Sequence, residues 1–359
     1  MKTLLKTKTA RVNFLTYAVV IAAFVVMQGL SAAGMLGSAV KGYLVPSCAY
    51  IVMAVSLNLL VGVCGELSLG HAGFMSIGAF TGIVAAALLK QAVPSTALRL
   101  LLAMLCGGVT AGVFGFLIGI PVLRLRGDYL AIVTLAFGEI IKNLVNNLYV
   151  GTDASGLHMA ITTDKMALGE GGTMLIDGPM GATGITKLSS FTAGFILILV
   201  TLTVVLNLIH SKEGRAIKAV RDNRIAAESV GINVTAFRMK AFVVSAVLAG
   251  MAGVLFGLNY ASLIAGKFNF NTSINVLVFV VLGGMGNILG SVISATVLYI
   301  LPEALRSLQD YRMILYAIVL IAVMLFTWSP KVKNFVQAAP DRLRQWLGKF
   351  RKKEEKGHE

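Results

Sequence analysis

The sequence predicts an all-α integral membrane protein, a polytopic helical bundle of about ten transmembrane passes with a pair of short helices on its cytoplasmic side. Two observations predict it. The chain is 57% hydrophobic and only 13% charged, where a soluble domain is about 45–50% apolar and about 25% charged. Apolar runs of about 17–25 residues, each enough to cross about 30 Å of hydrocarbon, recur throughout, and the mean hydropathy is +0.83.

Taken in order, the predicted spans are Phe14–Leu36, Tyr43–Val63, Leu67–Leu89, Ala97–Leu123, Tyr129–Tyr149, Phe191–His210, Ala241–Leu263 and Met313–Trp328, with an ambiguous stretch at Ile274–Leu301. The first span follows a basic start, Lys2, Lys6, Lys8 and Arg11, and has small residues behind it at Ser31–Gly34. That is the outline of a signal peptide, but the apolar run exceeds the usual signal core and favours an uncleaved span. Gly107, Gly108, Gly112, Gly115 and Gly119 in the fourth span, and Gly250, Gly253 and Gly257 in the seventh, recur at spacings that share one helix face. Backbones approach closely along such faces.

Charge then sets the topology. The formal net charge is +15, but Lys and Arg gather beside apolar spans: at the N-terminus, at Arg124 and Arg126, through Lys212–Lys240, and after Lys331. Such placing holds short loops on the cytoplasmic side; it implies contact with membrane lipid and no nucleic acid. One long helix at 274–301 would carry the basic end of the chain outside. A break at Gly283–Asn287, where glycines supply helix-breaking conformations, makes two short passes and leaves both termini in the cytoplasm. The organisation is then a polytopic domain over residues 1–330 and a basic cytoplasmic tail over 331–359. An extracytoplasmic loop falls at about 150–190 and a cytoplasmic loop at about 211–240. Val150–Ser190, rich in Gly, Thr and Asp and aperiodic, reads as a loop or small cap. Cys48, Cys64 and Cys106 lie in apolar stretches, without the spacing of a metal pair or a redox motif.

Within Lys212–Lys240, Glu213–Asn223 carries good helix formers, and Ile225–Val230 makes a second short turn that Gly231 stops. Ile217, Val220, Ile225 and Val230 give the pair an apolar side. These residues alone fit either a solvated connector with amphipathic edges or a docking site for a soluble partner.

Ionisable residues inside spans draw notice, because one at a helix centre costs about 2.5–3.5 kcal/mol. Glu139 either lines or gates a path, or is a buried carboxylate paired to a neighbouring helix. Glu66 and His71 flank a glycine-rich interruption containing Gly65, Gly70 and Gly73, and Asp128 lies at a boundary. His71 reads as a satisfied polar residue in a broken helix rather than a ligand. This interruption and the one at Gly283, Gly284 and Gly286 mark either broken helices along a translocation path or close packing. No paired-carboxylate, metal or nucleophile constellation suggests an enzyme.

Four stretches carry a family resemblance. Asn58–Gly78 (NLLVGVCGELSLGHAGFMSIG), Leu123–Lys142 (LRLRGDYLAIVTLAFGEIIK), Val280–Ile288 (VVLGGMGNI) and Leu301–Arg306 (LPEALR) resemble, in order and at matching spacing, the LivM-type permeases of branched-chain amino acid ABC importers. Ala226-Ala227 followed by Gly231, within Glu213–Asn233 (EGRAIKAVRDNRIAAESVGIN), resembles the motif by which ABC importer permeases dock on their ATPase. Ile225 stands where the general motif has an acidic residue, and the apolar tail after the glycine is absent; both departures are usual in the branched-chain branch. The loop at 150–190 follows the family less well, keeping a Gly178–Ile185 end after an expanded stretch.

The resemblance implies a permease subunit of an ATP-driven importer in the bacterial cytoplasmic (inner) membrane, moving branched-chain or similar hydrophobic amino acids. It implies an ATPase-coupling helix pair with Glu213, Gly214, Arg215, Arg221, Asp222, Ala226, Ala227 and Gly231 as its residues. Its partners would be a second permease of similar type, two ABC ATPase subunits and an extracytoplasmic substrate-binding protein. No Gly-x-x-x-x-Gly-Lys-Ser/Thr loop occurs in the chain, so ATP and Mg are expected on the ATPase subunits and no cofactor here. Related permeases serve urea, amides or other amino acids, and the binding protein usually sets the cargo. An ion-coupled carrier with Glu139, Asp128 and His71 as its relay is the alternative from another class.

Overall fold

Among the described residues, the long apolar runs fold as helices, because lipid offers peptide groups no partner outside their own segment. A computed structural model describes residues 8–35, 37–125, 127–153, 156–161, 172–305, 311, 314, 317–321 and 325. The predicted tail 331–359, most of the predicted span Met313–Trp328, and Lys2, Lys6, Arg126 and Arg306 lie outside the described residues. The chain divides into two compact units, Met1–Ile300 and Leu301–Glu359; the first holds the apolar bundle and both glycine-rich interruptions.

Helix α1 runs Lys8–Ala32 and α2 Ser38–Asn58. α2 continues as a π-helical turn, Leu59–Cys64, which Gly65 ends at φ +80°. Then come α3 (His71–Ala92), α4 (Thr96–Val122) and α5 (Asp128–Asn146). After a small sheet come α6 (Phe191–His210), the short helices α7 (Lys212–Asp222) and α8 (Arg224–Ser229), α9 (Val234–Gly257), α10 (Phe270–Gly283) and α11 (Ile288–Ala304). Among the described residues, six helices are long and apolar enough to cross a membrane: α1, α2, α3, α4, α6 and α9.

Four expectations are corrected. The third span starts at His71, not Leu67, because left-handed Gly65 turns the chain out of helix first; the interruption is Gly65–Gly70, and Gly73 already lies in α3. The seventh starts at Val234, well before Ala241, since the Asn233 side chain caps it by accepting from the Ala236 N–H at 3.0 Å. The fifth is a helix that ends at Asn146, because Tyr149 has already passed into a strand; holding Asp128, Glu139 and Lys142, it is not among the six. The 150–190 loop contains a three-stranded antiparallel sheet, β1 (Tyr149–Asp153), β2 (Gly156–Ala160) and β3 (Thr173–Asp177), in the order β2-β1-β3.

In lipid the apolar surface of a helix has little to gain by leaving hydrocarbon, so close packing holds the bundle. α9 is its centre, packed against α2, α3 and α4. Gly78 of α3, Gly107 of α4 and Gly250 of α9 meet backbone to backbone; a Cβ on any of them would collide with a neighbour. The predicted glycine faces of α4 and α9 therefore face each other, with α3 as the third party.

Candidate functional site

The α7–α8 segment is built by its caps. Ser211 Oγ accepts the Gly214 N–H at 3.1 Å to start α7, and Asn223 Oδ1 accepts the Ala226 N–H at 3.0 Å to start α8. Gly231, at φ +82°, stops α8, and Gly214 lies against the Leu208 and Ile209 backbone with no room for a side chain.

The predicted apolar side splits in two. Ile217 and Val220 are buried, and Ala227 packs with Val220, Val234 and Ile232. Ile225 and Val230 are 77% and 76% exposed. The extended Asn223 between the helices, at φ −155° and ψ 105°, swings α8 off the axis of α7, so one set of side chains faces the bundle and the other faces away. Ala226 and Gly231 lie on the exposed side as well.

The charged residues expected to orient a partner are partly engaged within the chain. Glu213 pairs with Lys240 at the start of α9. Arg215 is exposed, its Nη1 3.5 Å from the His210 carbonyl. Arg221 gives Nε and Nη2 to Asp222 Oδ1 at 3.0 and 2.8 Å, and Nη1 to the Gly62 carbonyl at 2.9 Å.

That last bond leads into the first interruption. Glu66, just past Gly65, makes an ion pair with Arg238 of α9 at 2.5 Å, and Arg238 Nη1 donates to the Leu123 carbonyl at the end of α4 at 2.9 Å. The Leu69 N–H reaches Thr134 Oγ1 and the Ala72 N–H reaches Ser273 Oγ, both at 3.1 Å. Peptide groups released by the broken helix are thus taken up by neighbouring helices. Gly70 lies against the Thr134 backbone, and Gly73 against Gly138 of α5.

The second interruption packs on the end of α2 and the π-helical turn that leads into the first. Gly284 and Gly286 take φ +90° and +83°, and Asn58 of α2 bridges to them. Its Oδ1 accepts the Gly286 N–H at 2.7 Å, while Nδ2 donates to the Asn287 carbonyl at 3.1 Å and to Ser291 Oγ at 2.8 Å. Gly62 lies directly against the Gly286 backbone. Gly283 touches Gly290 across the same turn, backbone to backbone.

His71 Nε2 shares a hydrogen bond with Ser56 Oγ at 2.8 Å, and Ser56 Oγ also lies 2.9 Å from the Met53 carbonyl. Its Nδ1 is buried without a partner among the described residues. Glu139 pairs with Lys142 one turn on, and its Oε1 accepts the Phe270 N–H at the start of α10 at 3.3 Å. Asp128 opens α5. His71 and Glu139 thus have separate sets of partners, not a shared proton chain. Among the described residues no group of three His, Cys, Asp or Glu side chains is placed to hold a metal.

Sequence reasoning missed Asn58, Gly62, Arg238, Thr134 and Ser273. Asn58 had a signal, an amide deep in an apolar run, and so did Arg238, a guanidinium inside what became a long helix. The two hydroxyls had none.

The pattern of the family described as "Branched-chain amino acid transport system / permease component" matches residues 39–325. The chain is 34% identical over 292 residues to the high-affinity branched-chain amino acid transport system permease protein LivM of Salmonella typhimurium, covering 79% of this chain and 67% of that one. The Escherichia coli LivM gives the same identity and coverage. The probable branched-chain amino acid transport permease protein LivM of Methanocaldococcus jannaschii is 23% identical over 294 residues, covering 73% and 80%. No solved structure matches the chain significantly.

Proposed function

The chain belongs to the branched-chain amino acid transport system permease family, and on that premise we propose that it is the membrane subunit of an importer driven by ATP hydrolysed on separate subunits. Its cargo is a branched-chain or similar hydrophobic amino acid. It works beside a second permease, two ATPase subunits that carry ATP and Mg, and an extracytoplasmic binding protein. The bundle makes ten passes with both termini in the cytoplasm, α10 and α11 being two short ones, and the sheet faces outward. The two helix interruptions border the translocation path.

The observation that carries this reading is the division of labour in α7–α8. One side, Ile217, Val220 and Ala227, is rooted in the bundle, while Ile225 and Val230 stand exposed beside Gly231. Exposed apolar side chains rimmed by charge suit a protein partner, and a rooted base lets that partner's movement reach the spans.

Purification in mild detergent should recover ATPase subunits and a second permease with this chain. Vesicles containing the complex should take up leucine when ATP is supplied, including after the proton gradient is collapsed. Uptake that stops with the gradient while ATP is maintained would establish an ion-coupled carrier instead.

A further inference from the structure

We propose that Arg221 is a positioning residue that carries the displacement of α7–α8 to both helix interruptions, through the Gly62 carbonyl and the Asn58 amide. The inference rests on the reading that α7–α8 docks an ATPase; it adds the route by which docking reaches the spans.

The first link is a carbonyl at a helix end. The last carbonyls of a helix have no intrahelical donor, and Gly62 lies in the final π-helical turn of the second span. Arg221 Nη1 supplies the donor at 2.9 Å. Its other two bonds, to Asp222, hold the planar fork in one orientation, which an ammonium cannot do. Its stem crosses Gly65 so closely that a Cβ there would lie 2.6 Å from Arg221 Cγ.

The second link passes through Asn58, one turn earlier on α2. The Asn58 side chain is fully buried, and both its Nδ2 hydrogens and its Oδ1 are engaged by the second interruption: the Gly286 N–H, the Asn287 carbonyl and Ser291 Oγ. With Gly62 against the Gly286 backbone, the π-turn and the Gly284–Asn287 turn are tied to each other. A shift of α7 therefore has a short path into both turns: the Arg221 stem packs on Gly65, and the bond to Gly62 pulls on the π-turn that Asn58 and Gly62 tie to Gly284–Asn287.

A purely anchoring role fits Arg221 poorly. Ile217 and Val220 already root α7 in the bundle, whereas the Arg221 side chain is 40% exposed, where water would satisfy a guanidinium without help. What the bond to Gly62 adds is a fixed geometry between a moving element and a broken helix.

The test is simultaneous measurement of substrate uptake and ATP hydrolysis in the full reconstituted complex, for wild type, R221Q and R221K. R221Q is expected to assemble and hydrolyse ATP while uptake per ATP falls about tenfold, within the usual range of coupling between sites. R221K, which keeps one cationic donor for the Gly62 carbonyl, recovers part of that ratio. A wild-type ratio in R221Q, an R221K no better than R221Q, or failure of both variants to assemble overturns the proposal, the last by making Arg221 an anchor. A wild-type complex without ATP-dependent uptake would instead sink the permease reading, and this route with it.

Discussion

Replacing Arg238 with Met isolates the contact that closes the first interruption. Arg238 is 3% exposed and its partner Glu66 16%, so the substitution strands a nearly buried carboxylate. Losing one partner of a buried ion pair costs about 3–5 kcal/mol. The Leu123 carbonyl also loses its donor, adding about 1 kcal/mol. The sum, about 4–6 kcal/mol, is a large share of the roughly 5–15 kcal/mol by which proteins are stable. With Glu66→Gln as the other single change, the double variant Glu66→Gln/Arg238→Met removes both charges and recovers most of the loss, because the penalty lies in the unpaired carboxylate. Reversible unfolding of purified protein by titrating a denaturing detergent into mild micelles gives the three values. An Arg238→Met loss below about 1 kcal/mol, or a double variant as costly as the two single changes added, would refute the account of Glu66 and Arg238 as a buried pair.

The same geometry gives four further outcomes. Ile225→Asp changes an exposed side chain, so unfolding stability moves by less than about 0.5 kcal/mol while recovery of ATPase subunits in co-purification drops at least about tenfold, as for a desolvated apolar anchor. Ala227→Leu overpacks the cluster with Val220 and Val234 and lowers stability by about 1–3 kcal/mol, read in the same detergent titration. Gly231→Leu meets open space and costs only the left-handed strain, about 1–2 kcal/mol, yet blocks ATPase capture; thermal shift and co-purification separate the two. Gly250→Leu drives a side chain into the Gly107 backbone and Ala111, and is expected to abolish the monodisperse peak in size-exclusion chromatography.

The long spans were legible because lipid makes hydrophobic length and helix nearly the same thing, and both interruptions were legible from their glycines. Helix ends were less so: α9 begins at Val234 because Asn233 caps it and Arg238 is paired, and a charge pattern cannot reveal that its charge is satisfied elsewhere. The sheet was invisible, its strands being five residues each and held by pairings such as Tyr149 with Asp177, far apart in the chain. In α7–α8 the apolar residues were found but not their two destinations, since a single extended residue, Asn223, resets the face. Arg221 was expected to meet a partner; within the chain it also reaches Gly62, 159 positions away, a distance no local pattern spans.

The meeting of Gly78, Gly107 and Gly250 has a kinematic consequence. Where helix backbones touch at a crossing there is little side-chain volume to shear, and packed interiors yield little to compression. α3, α4 and α9 therefore behave as one stiff block with few internal degrees of freedom. Strain delivered at its edge is not dissipated inside it but concentrated where backbone torsions are softest, at Gly65 and at Gly284–Gly286. If α7–α8 docks an ATPase, stiffness in the block is what would give those two turns their leverage.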